Sequence, residues 1–87
     1  MALRRLNGRH VIAAYILIQT QAGKAAIVAT ALRDVPGVLE TASLAGPYDV
    51  IARAQAQDIY ELARLVASGV QALHGVRQTM GCPIAHL

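Results

Sequence analysis

Hydrophobic and polar residues follow two different patterns in the first part of the chain. Residues 13–20 are rich in β-branched and aromatic side chains and too short for a convincing helix, which predicts a strand. Gly23 interrupts this run, and the apolar residues after it recur at spacings of three and four up to Pro36-Gly37. That spacing predicts an amphipathic helix that the Pro-Gly pair ends. The apolar stripe of this helix consists of Ala25, Val28, Ala29, Leu32 and Val35.

The next two segments alternate with a period of two and so predict two strands. Residues 38–45 form the first segment, Gly46-Pro47 follows it, and residues 48–56 form the second. A short turn between two such segments predicts an antiparallel pair. In the second strand, one face carries Val50, Ala52 and Ala54, and the other carries Asp49, Ile51, Arg53 and Gln55.

A second helix and a last strand complete the pattern. Asp58 precedes Glu61 by three residues, a variant of the capping box that begins helices. An apolar stripe at helical spacing follows, and Gly75 ends the helix. Residues 76–82 predict a strand that stops at Pro83. The apolar stripe consists of Ile59, Leu62, Val66, Val70 and Leu73.

The two halves of the chain repeat one another. Residues 35–41 and 73–79 share the pattern apolar, Pro or His, Gly, Val, any residue, Glu or Gln, Thr. Two such β-α-β units predict an α+β protein of the ferredoxin-like βαββαβ type, with a four-stranded antiparallel sheet and both helices on one face. The other face stays bare and half apolar, and a second sheet is its natural cover, which predicts a dimeric α+β barrel. The first strand contributes to that face either Tyr15 and Leu17 or Ile16 and Ile18.

The amino-acid composition supports self-association. The chain has 87 residues, of which 55% are hydrophobic, whereas an average soluble domain reaches about 45–50% with glycine included. A domain of this size hides only about 60–65% of the surface of its unfolded chain, so a monomer would expose apolar side chains. The best apolar run, residues 11–18, is far shorter than the roughly 20 residues of a membrane span. Cys82 is the single cysteine, which excludes an intrachain disulfide and fits a cytoplasmic protein.

The net charge of +3 belongs to one end of the chain. Three of the eight basic residues lie in the first ten positions, and the five that remain balance the five acidic residues. We therefore divide the chain into a basic N-terminal arm, residues 1–12, and a neutral domain, residues 13–87. A nucleic-acid-binding domain needs a basic surface and usually stacking aromatic side chains, and the neutral domain has neither.

Four short motifs mark the first strand and the predicted turns: Ala14-Tyr15-Ile16-Leu17-Ile18, Val35-Pro36-Gly37-Val38, Gly46-Pro47-Tyr48-Asp49-Val50 and Leu73-His74-Gly75-Val76 before Thr79. Together they resemble the motifs of the ligand-binding domain, or RAM domain, of the Lrp/AsnC transcription regulators. The resemblance covers residues 13–83 and implies a domain that dimerises through its sheets, assembles into rings of eight or ten subunits and binds amino acids between dimers. Full-length members carry an N-terminal helix-turn-helix domain, for which the residues before 13 are too few, so we expect no sequence-specific DNA binding by this chain alone.

The same resemblance implies which residues bind the ligand. It assigns Gly46, Tyr48 and Asp49, at the turn, to the effector site. Turn chemistry alone favours a plain hairpin in which Asp49 satisfies nearby backbone donors. In a binding site, its carboxylate would hold the ammonium group of an amino acid, and backbone N–H groups of the turn would receive the ligand's carboxylate. The family's pocket also draws on the last strand of an adjoining subunit, which implies Gln78, Thr79 and Met80 here.

Other chemistry is sparse. Cys82 and His86 are four residues apart, but two ligands do not close a tetrahedral site, so we expect no metal and no cofactor. His74 takes the place of a loop proline in the other repeat, and we expect it to be solvated. Arg53 has two interpretations, a cross-strand pair with Glu40 or an anion contact in an interface pocket.

We therefore expect a non-enzymatic, oligomeric module that binds an amino acid or a similar small effector and regulates transcription or amino-acid metabolism. A full-length Lrp/AsnC regulator could bind through the same dimer surface. Paired ferredoxin-like domains also form small monooxygenases and isomerases, but this sequence offers no convergent acid or base for such a site. A purely structural assembly module is the third alternative.

Overall fold

The element order β-α-β-β-α-β is confirmed in the computed structural model, which describes residues 11–84. The basic arm up to residue 10 and the last three residues lie outside the described part. The elements are β1 (Ile12–Thr20), α1 (Ala25–Leu32), β2 (Val38–Ser43), β3 (Val50–Ala56), α2 (Ile59–Arg64, which continues as a π-helical segment, Leu65–Val70) and β4 (Val76–Pro83).

The four strands form one antiparallel sheet in the order β2-β3-β1-β4. Both β-α-β units are therefore interleaved, with β1 and β3 in the centre and the later strand of each unit at an edge. Both helices pack on one face, which confirms the ferredoxin-like fold. The predicted barrel of two such sheets stays a prediction.

The alternation of side chains in β1 settles which apolar pair faces the helices. Ile16 and Ile18 are fully buried against α1 and α2, whereas Tyr15 and Leu17 lie on the opposite face of the sheet. Each buried side chain of this size contributes about 1.5–3 kcal/mol to folding. The core between sheet and helices consists of Ile16, Ile18, Val28, Leu32, Val50, Ala52, Ala54, Leu65 and Val70.

The internal repeat of the sequence corresponds to a repeat in structure. Gly37 and Gly75 precede β2 and β4 with φ angles of +97° and +95°, in the left-handed region that suits glycine. The carbonyl of Gly37 accepts from the N–H of Gln55 at 2.9 Å, and that of Gly75 accepts from the N–H of Gln21 at 2.8 Å. Each glycine thus joins the end of a helix to the neighbouring strand in the same way.

The second helix begins as predicted but does not continue as predicted. The Asp58 carboxylate accepts from the N–H of Glu61 at 2.7 Å, and the Glu61 carboxylate accepts from the N–H of Gln57 at 2.8 Å. After Arg64 the helix widens to π geometry, and Leu65, which the predicted stripe leaves out, joins the core beside Val66, Val70 and Leu73. Ile59, predicted to belong to the stripe, is 49% exposed and joins neither core cluster.

The connection between β2 and β3 is longer than the sequence predicted. Strand pairing ends at Ser43 and Val50, and residues 44–49 form a loop closed by the N–H of Leu44 donating to the carbonyl of Asp49 at 2.9 Å. The N–H of Asp49 donates instead to the carbonyl of Ile18 in β1, at 2.9 Å. The predicted strands at 38–45 and 48–56 are therefore each two residues too long at this end. The reason is that the N–H of Asp49 bonds to β1 and not to the end of β2.

Candidate functional site

The β2–β3 loop, residues 44–49, lies against the end of β1 and is fastened there by Asp49. One carboxylate oxygen, Oδ2, accepts from the N–H of Thr20 at 2.8 Å and from the hydroxyl of Thr20 at 3.2 Å. Asp49 is half-buried, and Thr20 is only 7% exposed. Burial of polar groups costs free energy, and these hydrogen bonds offset most of that cost.

Thr20 was not predicted as part of the site, although the sequence carries a signal for it. It follows Ala14, Ile16 and Ile18 at a spacing of two and is the one polar member of that buried face. A polar residue that ends an apolar strand face needs a partner. The partner comes from a residue 29 positions away, so local sequence does not identify it.

Gln19 provides a second attachment of the loop to β1. Its side-chain Nε2 donates to the carbonyl of Pro47 at 3.1 Å. Together with the main-chain bond of Asp49 to Ile18, the loop is held at three successive residues of β1.

The backbone between these attachments presents donors to solvent. Within residues 11–84, no protein acceptor engages the N–H groups of Ala45, Gly46 or Tyr48. Ala45 and Gly46 are exposed, and Tyr48 is half-buried. Adjacent free N–H groups in a turn are suited to bind a carboxylate.

The residues predicted from β4 lie beside the same end of β1, on its other side. Gln78, Thr79 and Met80 pair with Gln19, Ile18 and Leu17, respectively. Because β1 intervenes, two strand spacings, roughly 9–10 Å, separate β4 from the β2–β3 loop within one chain. The structure therefore brings the two predicted sets to one end of the sheet without bringing them into contact.

The three β4 residues do not share a face. Thr79 lies on the helix side, and its hydroxyl accepts from Gln71 Nε2 at 2.8 Å. Gln78 and Met80 lie on the opposite side of the sheet, and Met80 is 47% exposed. A pocket on one side of β4 can therefore include Gln78 and Met80, or Thr79, but not all three side chains.

The face of the sheet that the helices leave uncovered is apolar at its centre, and we call it the open face. Glu40 and Arg53 form an ion pair on it, with Arg53 Nε 2.8 Å from Glu40 Oε1, as one of the two interpretations of Arg53 predicted. Beside this pair, a shallow groove of about 210 Å³ reaches Tyr15 and Ile51. The side chains at the centre of the open face are Tyr15, Leu17, Ile51, Met80 and Cys82.

A larger cleft, of about 450 Å³, lies at the opposite end of the sheet. It runs between residues 35–37 and the π-helical segment, with Glu61, Arg64 and Ser68 on its walls. Neither the β2–β3 loop nor the predicted β4 residues line it. Its size alone does not make it the ligand site, since Arg64 and Ser68 are exposed to solvent and the half-buried Glu61 already accepts from the N–H of Gln57.

Metal-binding side chains do not converge in the described part of the chain. No three His, Cys, Asp or Glu residues between positions 11 and 84 come together where they could hold an ion. His86, the suggested companion of Cys82, falls outside those residues, and His74 is exposed in the loop before β4. No helix in the same span is long and apolar enough to cross a membrane.

Known proteins resemble the chain over most of its length. The sequence pattern of the Lrp/AsnC ligand binding domain matches residues 13–81. Among solved structures, TTHA0845 from Thermus thermophilus is 30% identical and has a TM-score of 0.82, over 87% of this chain and 95% of that protein. A search of curated protein sequences finds no match.

Two longer regulators share the fold. AsnC from E. coli is 16% identical with a TM-score of 0.82, and the match covers 100% of this chain and 62% of AsnC. The transcriptional regulator NMB0573 from Neisseria meningitidis, solved in complex with L-Met, is 23% identical with a TM-score of 0.76, over 86% of this chain and 50% of the regulator. The chain thus spans between half and two thirds of each regulator.

Proposed function

Because this chain belongs to the Lrp/AsnC ligand-binding domain family, as its motifs predicted, we propose that it is a non-enzymatic regulatory module that binds an amino acid. The observation that carries the proposal is the β2–β3 loop. It is fastened to β1 at three points, and it presents the free N–H groups of Gly46 and Tyr48 beside an internally bonded carboxylate, that of Asp49. Such a loop offers a preorganised receptor for the carboxylate of a free amino acid.

The complete site is proposed to form between copies of the chain. In a single copy, β1 separates the loop from Gln78 and Met80, and the loop is too exposed to enclose a ligand. A second copy that places its β4 over the loop would supply the missing wall. We propose Gly46, Tyr48 and Asp49 of one copy with Gln78 and Met80 of another as the ligand-binding residues, and the Thr79 side chain, which faces the helices, is left out.

The dimer is proposed to form through the open face. Tyr15 and Met80 are 42% and 47% exposed there, next to Leu17 and Ile51, which are half-buried in the single chain. A two-fold contact between open faces would cover this patch and give the dimeric α+β barrel. Rings of eight or ten subunits then need only a second contact at the β2–β3 loops. A full-length Lrp/AsnC regulator could use the same face in place of a second copy.

The named ligand of one relative suggests a first probe. NMB0573 was solved with L-Met, so L-Met heads the set of amino acids to be tested on this chain. Regulation of transcription or amino-acid metabolism in the cytoplasm is the setting we propose.

A thermal-shift screen of the twenty amino acids, run on the whole chain, tests the proposal. A ligand at a hundredfold excess over Kd stabilises the folded state by roughly 2.7 kcal/mol, which corresponds to a rise in Tm on the order of 10 °C for a domain of this size. We expect one or a few amino acids, but not their amides or methyl esters, to raise the Tm. If none of the twenty shifts the Tm, the binding proposal is wrong and a structural assembly role takes its place.

A further inference from the structure

The contacts of Asp49 point to a role that its position in the turn does not reveal. We infer that Asp49 is a positioning residue that acts through Thr20, that the backbone N–H groups of the loop receive the ligand's carboxylate, and that the ligand's ammonium group does not bind the Asp49 carboxylate. This inference rests on the proposed function, because it assigns how the same loop binds an amino acid.

The Asp49 carboxylate points toward Thr20 in β1. Oδ2 accepts two hydrogen bonds from one residue, Thr20, which is 7% exposed and belongs to the helix-side face of β1. A carboxylate that bound an ammonium group directly would have to share this inward-facing oxygen or use the other one alone. Two donors already compensate its charge, so an added cation gains less from it.

The Asp49 carboxylate takes the place of a main-chain acceptor for the N–H of Thr20. The pairing of β1 with β3 ends at Ile18 and Val50, so Thr20 lies two residues beyond the last pair. Its N–H would face the β2–β3 loop without a main-chain acceptor, and the Asp49 carboxylate supplies one at 2.8 Å. The side chain therefore extends the attachment of the loop past the end of the ladder. Without it, the N–H of a residue that is almost fully buried has no acceptor.

The other two attachments of the loop hold its tip less firmly than the Thr20–Asp49 contact does. Gln19 holds the carbonyl of Pro47 through a solvent-exposed hydrogen bond, and the main-chain bond from Asp49 to Ile18 lies at the start of β3. The Thr20–Asp49 contact is the part-buried one, so it is least open to competition by water. It fixes the residue directly after Tyr48, and with it the direction of the free N–H groups.

Conservative variants separate positioning from direct contact. In Asp49→Asn the amide oxygen still accepts from Thr20 but carries no charge, whereas Asp49→Ala removes the acceptor. We expect Asp49→Asn to bind the amino acid that most stabilises the wild type within about threefold of wild-type Kd, and Asp49→Ala to weaken it about tenfold or more, as measured by calorimetric titration. Equal losses in the two variants would overturn the inference in favour of a direct charge contact.

Thr20 is tested with its own rescue and control. Thr20→Val keeps the shape and the backbone N–H but loses the hydroxyl, so Kd should rise about threefold to tenfold, and Thr20→Ser should restore it. Thr41→Val is the matched control, because the Thr41 hydroxyl makes no hydrogen bond within residues 11–84. In the Asp49→Ala background, Thr20→Val should have no further effect on Kd, since both act through one contact. Independent, additive effects of the two substitutions would contradict a shared role.

The hydrogen-exchange rate of the Thr20 amide tests the Thr20–Asp49 contact without a ligand. The Thr20 amide should be protected in the wild type and in Asp49→Asn, and should exchange much faster in Asp49→Ala. A Thr20 amide that exchanges freely in the wild type overturns the inference. Protection of Thr20 in a chain that binds none of the twenty amino acids would instead refute the proposed function and leave the Thr20–Asp49 attachment standing.

Discussion

The two faces of the sheet are built by the same strands and differ in what covers them. On the helix side, Ile16, Ile18 and Val50 are fully buried. On the open face, Tyr15 and Met80 keep 42% and 47% of their surface exposed. The helix side carries the buried core, whereas the open face has an apolar centre flanked by polar side chains such as Glu40, Arg53 and Gln78, so only that centre gains from leaving water. No described residue covers this centre, and a second copy of the chain is the cover we propose.

Truncation on the helix side should give the largest loss of stability. Ile16→Ala leaves a cavity in the core, and the free energy of unfolding should fall by about 3–4 kcal/mol, as measured by urea unfolding. The loss should persist when the protein is diluted, because the site lies within one chain. The neighbouring substitution Leu17→Ala alters the open face, so its effect should shrink as the protein is diluted. If both variants respond to dilution alike, the two faces do not differ as we describe.

A charge on the open face should act on assembly and leave the fold intact. Tyr15→Glu would place two like charges close together in a face-to-face dimer, so the dimer Kd should rise about a hundredfold while the far-ultraviolet circular dichroism stays that of the wild type. Light scattering measures the change in mass. Tyr60→Glu is the matched control, since Tyr60 is 74% exposed on α2 and away from the open face. Dissociation by both variants, or by neither, would contradict a dimer formed through this face.

The ion pair at the margin of the open face should have the smallest effect. Glu40 and Arg53 are exposed enough for water and salt to screen them, so Glu40→Gln should lower the free energy of unfolding by less than about 1 kcal/mol. High salt should remove most of that difference between variant and wild type. A loss of several kcal/mol would show that the pair is buried, and thus that the interface extends over it.

The sequence could predict the elements because its local signals agree with the fold. The repeated glycines at 37 and 75 take the left-handed conformation that ends each helix, and Asp58 caps α2 as its spacing to Glu61 indicates. Alternation in β1 predicted two faces but not which one meets the helices. That choice depends on packing against residues far along the chain, which no local pattern contains.

Less of the candidate site could be predicted. The turn at Gly46 and Asp49 was found from its resemblance to a family, while the partner of Asp49, Thr20, was missed because it is distant in sequence. The π-helical segment was also missed, and with it the core position of Leu65, which a stripe at α-helical spacing does not include. Thr79 and Met80 are adjacent in β4, so their side chains point to opposite faces of the sheet and cannot line the same side of a pocket. The alternation visible in the sequence was enough to show this.

Sedimentation equilibrium of the wild-type chain tests the central claim most directly. The chain has a mass of 9.2 kDa, and an open face covered by a second copy predicts a solution mass of at least twice that value at micromolar concentration. Larger multiples would fit the proposed rings. A single species of 9.2 kDa across the concentration range would contradict the account, because the open face would then be stable in water without a partner copy.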